Sequence, residues 1–262
     1  MNDQGTNASV EQHRPWLDQI GAAVGGFEGK RVVEIGPDFS CSLLSAIELL
    51  YGAHEVIGLN PAWPSRQVGP RSSLRQIDAR ESGLDDESVD VVVSSSAFEH
   101  VHGLDEVLIE MHRVLRPGGM LFSHFGPLWS TCYGHHLWLV HNGQVVNYHN
   151  ALLPPWGHLL RSRQEIRAMC DGVVDEALGD LIVEFVFDSP DQNRLFFDDY
   201  ERIAEESPLE VVFLKGYDAS ELADKYPTSR SPAVLDELAM RFPERHGFLY
   251  DGITLLMRKP RG

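Results

Sequence analysis

The stretch Arg31–Ser42, RVVEIGPDFSCS, constrains this chain more than any other. Val32, Val33 and Ile35 form a short β-branched run, the pattern of a strand buried on both faces of a parallel sheet. Gly36 ends the run, and Pro37 and Asp38 turn the chain. Ser40 is placed to cap a helix whose apolar face is Leu43, Leu44, Ile47 and Leu50. Strand, glycine turn and helix make the first half of a βαβ unit. Open parallel sheets hold nucleotide-like ligands at the carboxyl ends of their strands, beside such a turn. Gly36, with no Cβ, lets the backbone approach a ligand, and Glu34 adds a carboxylate to the same crevice. A dinucleotide fingerprint would need further glycines, where this chain has Asp38 and Ser40. Asp38 would repel a diphosphate, which disfavours a nicotinamide oxidoreductase; the loop suits a cation or an amino-acid ammonium. By itself the turn also fits an ordinary strand-to-helix connection.

Further strands follow at regular spacing. Glu55–Leu59 ends at Asn60-Pro61, Leu74–Ile77 ends at Asp78, Val89–Val93 ends at Ser94-Ser95-Ser96, and Met120–His124 is the fifth. Asp105–Leu115 is an amphipathic helix with Val107, Leu108, Met111, Val114 and Leu115 on one stripe, and Arg116-Pro117-Gly118-Gly119 stops it. Alternating β and α segments predict a doubly wound α/β sheet. Glu11–Val24 reads as a helix ahead of it, behind a polar, mobile lead over residues 1–9. Later in the chain, Arg163–Cys170, Asp198–Glu205 and Ala233–Arg241 read as helices, and Leu181–Phe187 as a strand. Leu209–Leu214 and Gly252–Met257 complete a seven-stranded sheet as an antiparallel pair at its edge.

Composition narrows the functions. The net charge is -17 with no Lys/Arg cluster, so no nucleic-acid partner is expected. No apolar run reaches the length of a membrane span, and the N-terminus lacks the basic-then-apolar pattern of a signal peptide. Three widely spaced cysteines, Cys41, Cys132 and Cys170, argue against a disulfide framework and for a cytoplasmic setting.

The segments VVEIGPD, a strand ending in Asn60, QIDA, DVVVSSSAFEHV and VLIEMHRVLRPGGMLF together resemble the class I S-adenosylmethionine-dependent methyltransferases. The likeness is closest to the group that includes the ubiquinone and menaquinone methyltransferases. It covers residues 28–126 closely, and the helix followed by LRPGG is its most telling part. The resemblance implies a Rossmann-like core that binds S-adenosylmethionine and releases S-adenosylhomocysteine. It implies that Glu34, Gly36 and Pro37 lie by the methionine end, Asn60 by the ribose and Asp78 with Ala79 by the adenine. It further implies that Ser94 and Ser95 line the sulfonium, with Phe98 and His100 facing the substrate. Asn60 departs from the family's usual Asp or Glu and lacks the charge-assisted acceptor. Each residue also has a plainer reading: Asp78 as a cap, Asn60 before Pro61 as a turn former, the serines as a strand end.

The expected organisation is an N-terminal helical segment over 1–27, a cofactor-binding core over 28–126, an acceptor-binding lid inserted after the fifth strand over 127–206, and terminal elements completing the sheet over 207–262. Half of the twelve histidines lie just ahead of or within the lid: His124, His135, His136, His141, His149 and His158. They are interleaved with Trp129, Tyr133, Trp138, Tyr148 and Trp156. Methyl transfer from a sulfonium is an in-line displacement that needs alignment, exclusion of water and, for a hydroxyl or amine acceptor, a base. Histidine suits that task. His135 and His136 are the first candidates and His124 the next. The same histidines could instead hydrogen-bond the backbone and hold the lid together. No metal is expected: there is no H-x-x-x-H on a clear helix and no Asp/Asp/Asn set.

The reading is a methyltransferase acting on oxygen or nitrogen of a small-molecule acceptor, with a non-catalytic S-adenosylmethionine-binding module as the alternative and a homodimer compatible with either. For an anionic acceptor, Arg161, Arg163 and Arg167 are the nearby cations.

Overall fold

The computed structural model describes residues 10–148, 152–218 and 231–261. The expectations for residues 1–9 and for His149 fall outside them. Strand β1 (Arg31–Ile35) lies at the centre of an eight-stranded sheet, parallel to β2 (Glu55–Leu59) on one side and β5 (Val89–Ser95) on the other. Successive β1 side chains enter opposite cores. Val33 and Ile35 pack with Ile57, Leu59 and Val92, whereas Val32 packs with Val56, Val91 and Val93. Burial on both faces explains why the strand reads as a continuous apolar run without alternation.

Helix α1 (Arg14–Val24) and helix α2 (Ser42–Tyr51) cover one face, burying Leu17, Ile20, Leu44 and Ile47. Helix α3 (Leu104–Val114) covers the other with Val107, Leu108, Met111 and Val114. At the start of α2 the N-cap position is Cys41, and the Asp38 carboxylate accepts from its backbone N at 2.8 Å. The expected cap, Ser40, plays a lesser part, accepting from Ser42 N at 3.3 Å.

Beyond β2 the sheet continues through β4 (Ser72–Arg75) to a two-residue strand, β3 (Arg66–Gln67), paired antiparallel to β4. This short edge strand makes the count eight where seven were expected; two residues carry no periodic pattern to read. On the other side β6 (Leu115–Phe125) runs parallel to β5, then β10 (Gly252–Arg258) and β9 (Glu210–Tyr217) complete the sheet antiparallel, as expected.

Between β6 and β9 the chain builds a second layer. Strands β7 (Trp138–His141) and β8 (Gln144–Asn147) form a hairpin around Asn142 and Gly143, both at positive φ. Asn-Gly is the residue pair that such a two-residue turn requires. Short helices α4 (Gly157–Leu160) and α5 (Arg163–Cys170) follow, then α6 (Glu176–Asp188). Leu181–Phe187, expected as a strand, lies inside α6. Asp175 caps that helix by accepting from Leu178 N, and Leu178, Ile182, Val183 and Val186 form a helical stripe against Leu137 and Ile166. A seven-residue run, apolar but for Glu184, fits either period, and the cap decides it.

Helix α7 (Phe197–Glu206) packs Phe197, Tyr200, Ile203 and Ala204 into the same core as α3. It therefore belongs to the sheet's helical layer, although the expected lid boundary at 206 would include it. Helix α8 (Pro232–Arg241) buries Leu238 among Trp156, Leu159 and Phe196 of the second layer. No helix among the described residues is long and apolar enough to cross a membrane, and the three cysteines are buried and form no disulfide.

Candidate cofactor and acceptor site

The carboxyl ends of β1, β2, β4 and β5 open into one cavity of about 550 Å³. That volume is in the range of small-molecule and cofactor sites. Gly36, Asn60, Asp78, Ala79 and His100 all line it, joined by Trp63, Arg80, Ser96 and Asp191. Residues as far apart in the chain as Ile35 and Asp191 thus meet in a single crevice.

Gly36 sits at φ +77°, and a Cβ there would lie 2.3 Å from the Ala97 Cβ. No other residue fits without moving the β5 loop, so the backbone at this turn stays bare toward the cavity. Pro37 is buried behind it, against Gly58. Asn60 is spent on the backbone. Its Nδ2 donates to the Pro37 carbonyl at 2.9 Å, and its Oδ1 accepts from Ala62 N at 2.8 Å. The side-chain amide thereby ties the β1 and β2 loops together, a bridge that a carboxylate, with no donor, could not make.

Asp78 caps a single 3-10 turn, accepting from Arg80 N, and Arg80 also grips both its oxygens at 2.8 and 3.1 Å. The guanidinium holds the Asp78 carboxyl below its ordinary value. The cap reading and the cavity-lining reading of Asp78 therefore coexist. Ser94 is buried and donates to the Ile35 carbonyl at 3.1 Å, while Ser95 is half-buried and Ser96 reaches the cavity wall.

Glu34 is buried one residue before the cavity, with Oε2 unpartnered. Burial, helped by the nearby Asp38, pushes its carboxyl up to about 8. A lone buried carboxyl beside an open cavity is costly without a cationic partner. A bare glycine turn and an orphaned carboxylate are what a ligand carrying an ammonium and a sulfonium would use, so the residues present fit S-adenosylmethionine.

The histidines divide. His124, in β6, bonds Thr254 Oγ1 at 2.9 Å and stacks on Tyr217, with ring centroids 4.3 Å apart. His135 is buried, accepts from Leu137 N through Nδ1, and lines no described cavity. His158 is buried and donates to the Trp129 carbonyl at 2.8 Å. Burial lowers all three, and His158 falls to about 4. His136 stands behind His100, ring centroids 5.1 Å apart, and burial lowers it to about 3. Of the residues expected to act in catalysis, none is on the cavity wall; His100 is. Arg163 and Arg167 are engaged with Asp188, Asp171 and Asp180, and Arg161 with Glu237.

A second rim element had no counterpart in the sequence reading. Residues 190–193, between α6 and α7, are fastened to the loop after β5. Asn193 donates from its side chain to the carbonyls of Phe98 and Val101 and from its backbone to that of Glu99. His102 bonds the Pro190 carbonyl and His100 that of Asp191. The Ser189-Pro190-Asp191 turn was the available signal, but a turn says nothing of what it touches.

Residues 37–123 match the model of a methyltransferase domain family. A demethylmenaquinone methyltransferase of Staphylococcus epidermidis is 28% identical over 120 residues, covering 43% of this chain and 50% of that protein. The chain spans about half the length of the curated relatives it matches. Among solved structures, an S-adenosylmethionine dependent methyltransferase from Mesorhizobium loti superposes with a TM-score of 0.52 at 14% identity, covering 94% of this chain and 97% of that one. A geranyl diphosphate C-methyltransferase from Streptomyces coelicolor A3(2), in complex with Mg2+, geranyl diphosphate and S-adenosyl-L-homocysteine, does so with a TM-score of 0.53 at 12% identity, covering 94% and 80%. At these identities the structural likeness establishes the fold.

Proposed function

We propose that this chain, which has the class I methyltransferase fold and belongs through residues 37–123 to a methyltransferase domain family, transfers a methyl group from S-adenosylmethionine to a small-molecule acceptor. The observation that carries this is the convergence of Gly36, Asn60, Asp78, Ala79 and His100 on one cavity, with the unpartnered Glu34 carboxyl buried one residue before its wall. When bound, S-adenosylmethionine supplies a methyl group on a positively charged sulfur. Glu34 and the Gly36 turn would hold its amino-acid end, Ser94 and Ser95 lie toward its sulfonium, and Asp78 with the Ala79 backbone takes its adenine. Asn60 reaches the ribose with whatever hydrogen-bonding capacity the Pro37 bridge leaves it.

The acceptor would enter on the side of His100 and Asp191. An oxygen or nitrogen acceptor must present its lone pair to the methyl group and lose a proton. The histidine assistance falls to His100, whose Nδ1 faces the Asp191 carbonyl at 2.7 Å and whose side chain is exposed to the cavity. His136 supports this wall from behind rather than touching the acceptor, and His135 stands away from it. Negative charge across the molecule favours a neutral or cationic acceptor.

Titration calorimetry with S-adenosylmethionine, S-adenosylhomocysteine and NAD tests the reading. Both sulfur compounds should bind with one site per chain. Binding of NAD alone would refute it. Donor binding without turnover on a broad acceptor panel would favour the non-catalytic module, for which the commitment of Asn60 to the backbone speaks.

A further inference from the structure

Three side chains from separate parts of the chain converge on the rim of the cavity. His100 comes from the loop after β5, His136 from the segment between β6 and β7, and Asp191 from the turn between α6 and α7. Each offers one ligand atom, and these atoms all lie within 4.8 Å of one another. Some point is then no more than about 2.8 Å from all three, against bond lengths of about 2.0–2.2 Å for a bound zinc ion. Asp191 is exposed, so rotation of its side chain shortens the remaining gap while His100 keeps its backbone bond.

His136 supplies the second, independent observation. It is 8% exposed, and its Nε2 has no hydrogen-bond partner. A buried ring nitrogen left unpaired costs free energy unless something meets it. Its ring lies 5.1 Å from that of His100, and one of its nitrogens belongs to the cluster. His100 is prepared in the way metal-bound histidines usually are: one ring nitrogen engages a backbone carbonyl, here Asp191 at 2.7 Å, leaving the other with its lone pair.

We infer that His100, His136 and Asp191 bind a divalent first-row transition ion of the zinc type at the acceptor end of the cavity. Two imidazoles and one carboxylate are a donor set for Zn2+, Fe2+ or Co2+, rather than for Mg2+ or Ca2+, which take oxygen. Three protein ligands leave a coordination position open, and two of the three line the cavity. The open position thus faces the space assigned above to the acceptor. Only this use of the ion rests on the proposed function; ion binding rests on the three side chains. With the ion in place His100 is a ligand, and an acceptor oxygen would meet the ion.

The test is calorimetric titration of Zn2+ into chelator-stripped full-length protein without S-adenosylmethionine, repeated with Co2+ by visible absorption. One ion should be taken up per chain, with a cobalt spectrum of mixed nitrogen and oxygen coordination. His136→Ala and Asp191→Asn should each weaken uptake at least about tenfold. His141→Ala, remote from the cluster and paired with Asp175, should leave it unchanged. Asp191 is a surface side chain, so Asp191→Asn keeps the inference testable if His136→Ala fails to fold. Absence of saturable uptake, or uptake that Asp191→Asn and His136→Ala leave intact, would overturn the inference. Failure of S-adenosylmethionine to bind in a separate titration would remove the proposed function and leave the ion result standing.

Discussion

Replacing Glu34 by Gln should stabilise the protein at neutral and alkaline pH, by an amount that grows with pH. Glu34 is buried, and its carboxyl is pushed from an ordinary 4.5 up to about 8. Between those values the folded protein binds a proton that the unfolded chain has released. Stability contributed by the neutral acid is therefore complete below 4.5 and is lost as pH rises toward 8. At 1.36 kcal/mol per pH unit the loss is under about 1 kcal/mol at pH 5, about 3 at pH 7 and about 5 at pH 8.5, to order of magnitude. Gln has the shape of the neutral acid and does not titrate. Urea unfolding of the wild type and Glu34→Gln at those three pH values isolates the effect, because every other titrating group is common to both. Any constant offset from the amide cancels in the slope. A stability difference independent of pH, or one that shrinks as pH rises, would refute the reasoning. The same group couples to the donor: if a ligand cation is what Glu34 awaits, S-adenosylmethionine binding should release a proton near pH 7, and affinity should climb with pH and level off above about 8.

Gly36→Ala would place a Cβ 2.3 Å from that of Ala97 at a φ of +77°. It should cost at least about 1–2 kcal/mol in denaturant unfolding and weaken S-adenosylmethionine binding more than tenfold by calorimetry. An alanine variant with wild-type affinity would show that the turn does not approach the ligand. The second layer should loosen in acid. Burial depresses His136 to about 3 and His158 to about 4, so each stays neutral in the folded state while the unfolded chain takes up protons below about 6.5. Stability held by these rings is complete above pH 6.5 and falls as pH drops toward 4. Limited proteolysis should therefore cut residues 128–160 faster at pH 5 than at pH 7.5; equal rates would exclude these histidines as the cause.

Most of the core could be read because β1, β2 and β5 are apolar runs rich in β-branched residues that end where the chain turns, after Ile35, Leu59 and Ser95. A turn residue's chemistry is local, so Gly36, Asn60, Asp78, Ala79 and His100 of the cavity wall could be named together, whereas Glu34, Pro37, Ser94 and Ser95, named with them, stand off that wall. The second layer resisted for two reasons. The run Leu181–Phe187 satisfies either secondary-structure period until Asp175 caps it, and the hairpin at Asn142-Gly143 is too short for periodicity to show. The acceptor side was harder still. His135 and His136 are neighbours in sequence, yet one ring turns into the second layer's interior and the other toward His100. Asp191 is brought to the rim by contacts of Asn193 with the β5 loop, which no spacing announces.

Those contacts have a consequence for how the opening can change. Segment 190–193 is joined to the loop carrying His100 by hydrogen bonds from Asn193, His100 and His102. Swinging that segment aside as a flap would break the Asn193 bridges and pull Asp191 from His100 in the same stroke. While those hydrogen bonds hold, the doorway to the cavity keeps a single outline, and widening it costs each of them.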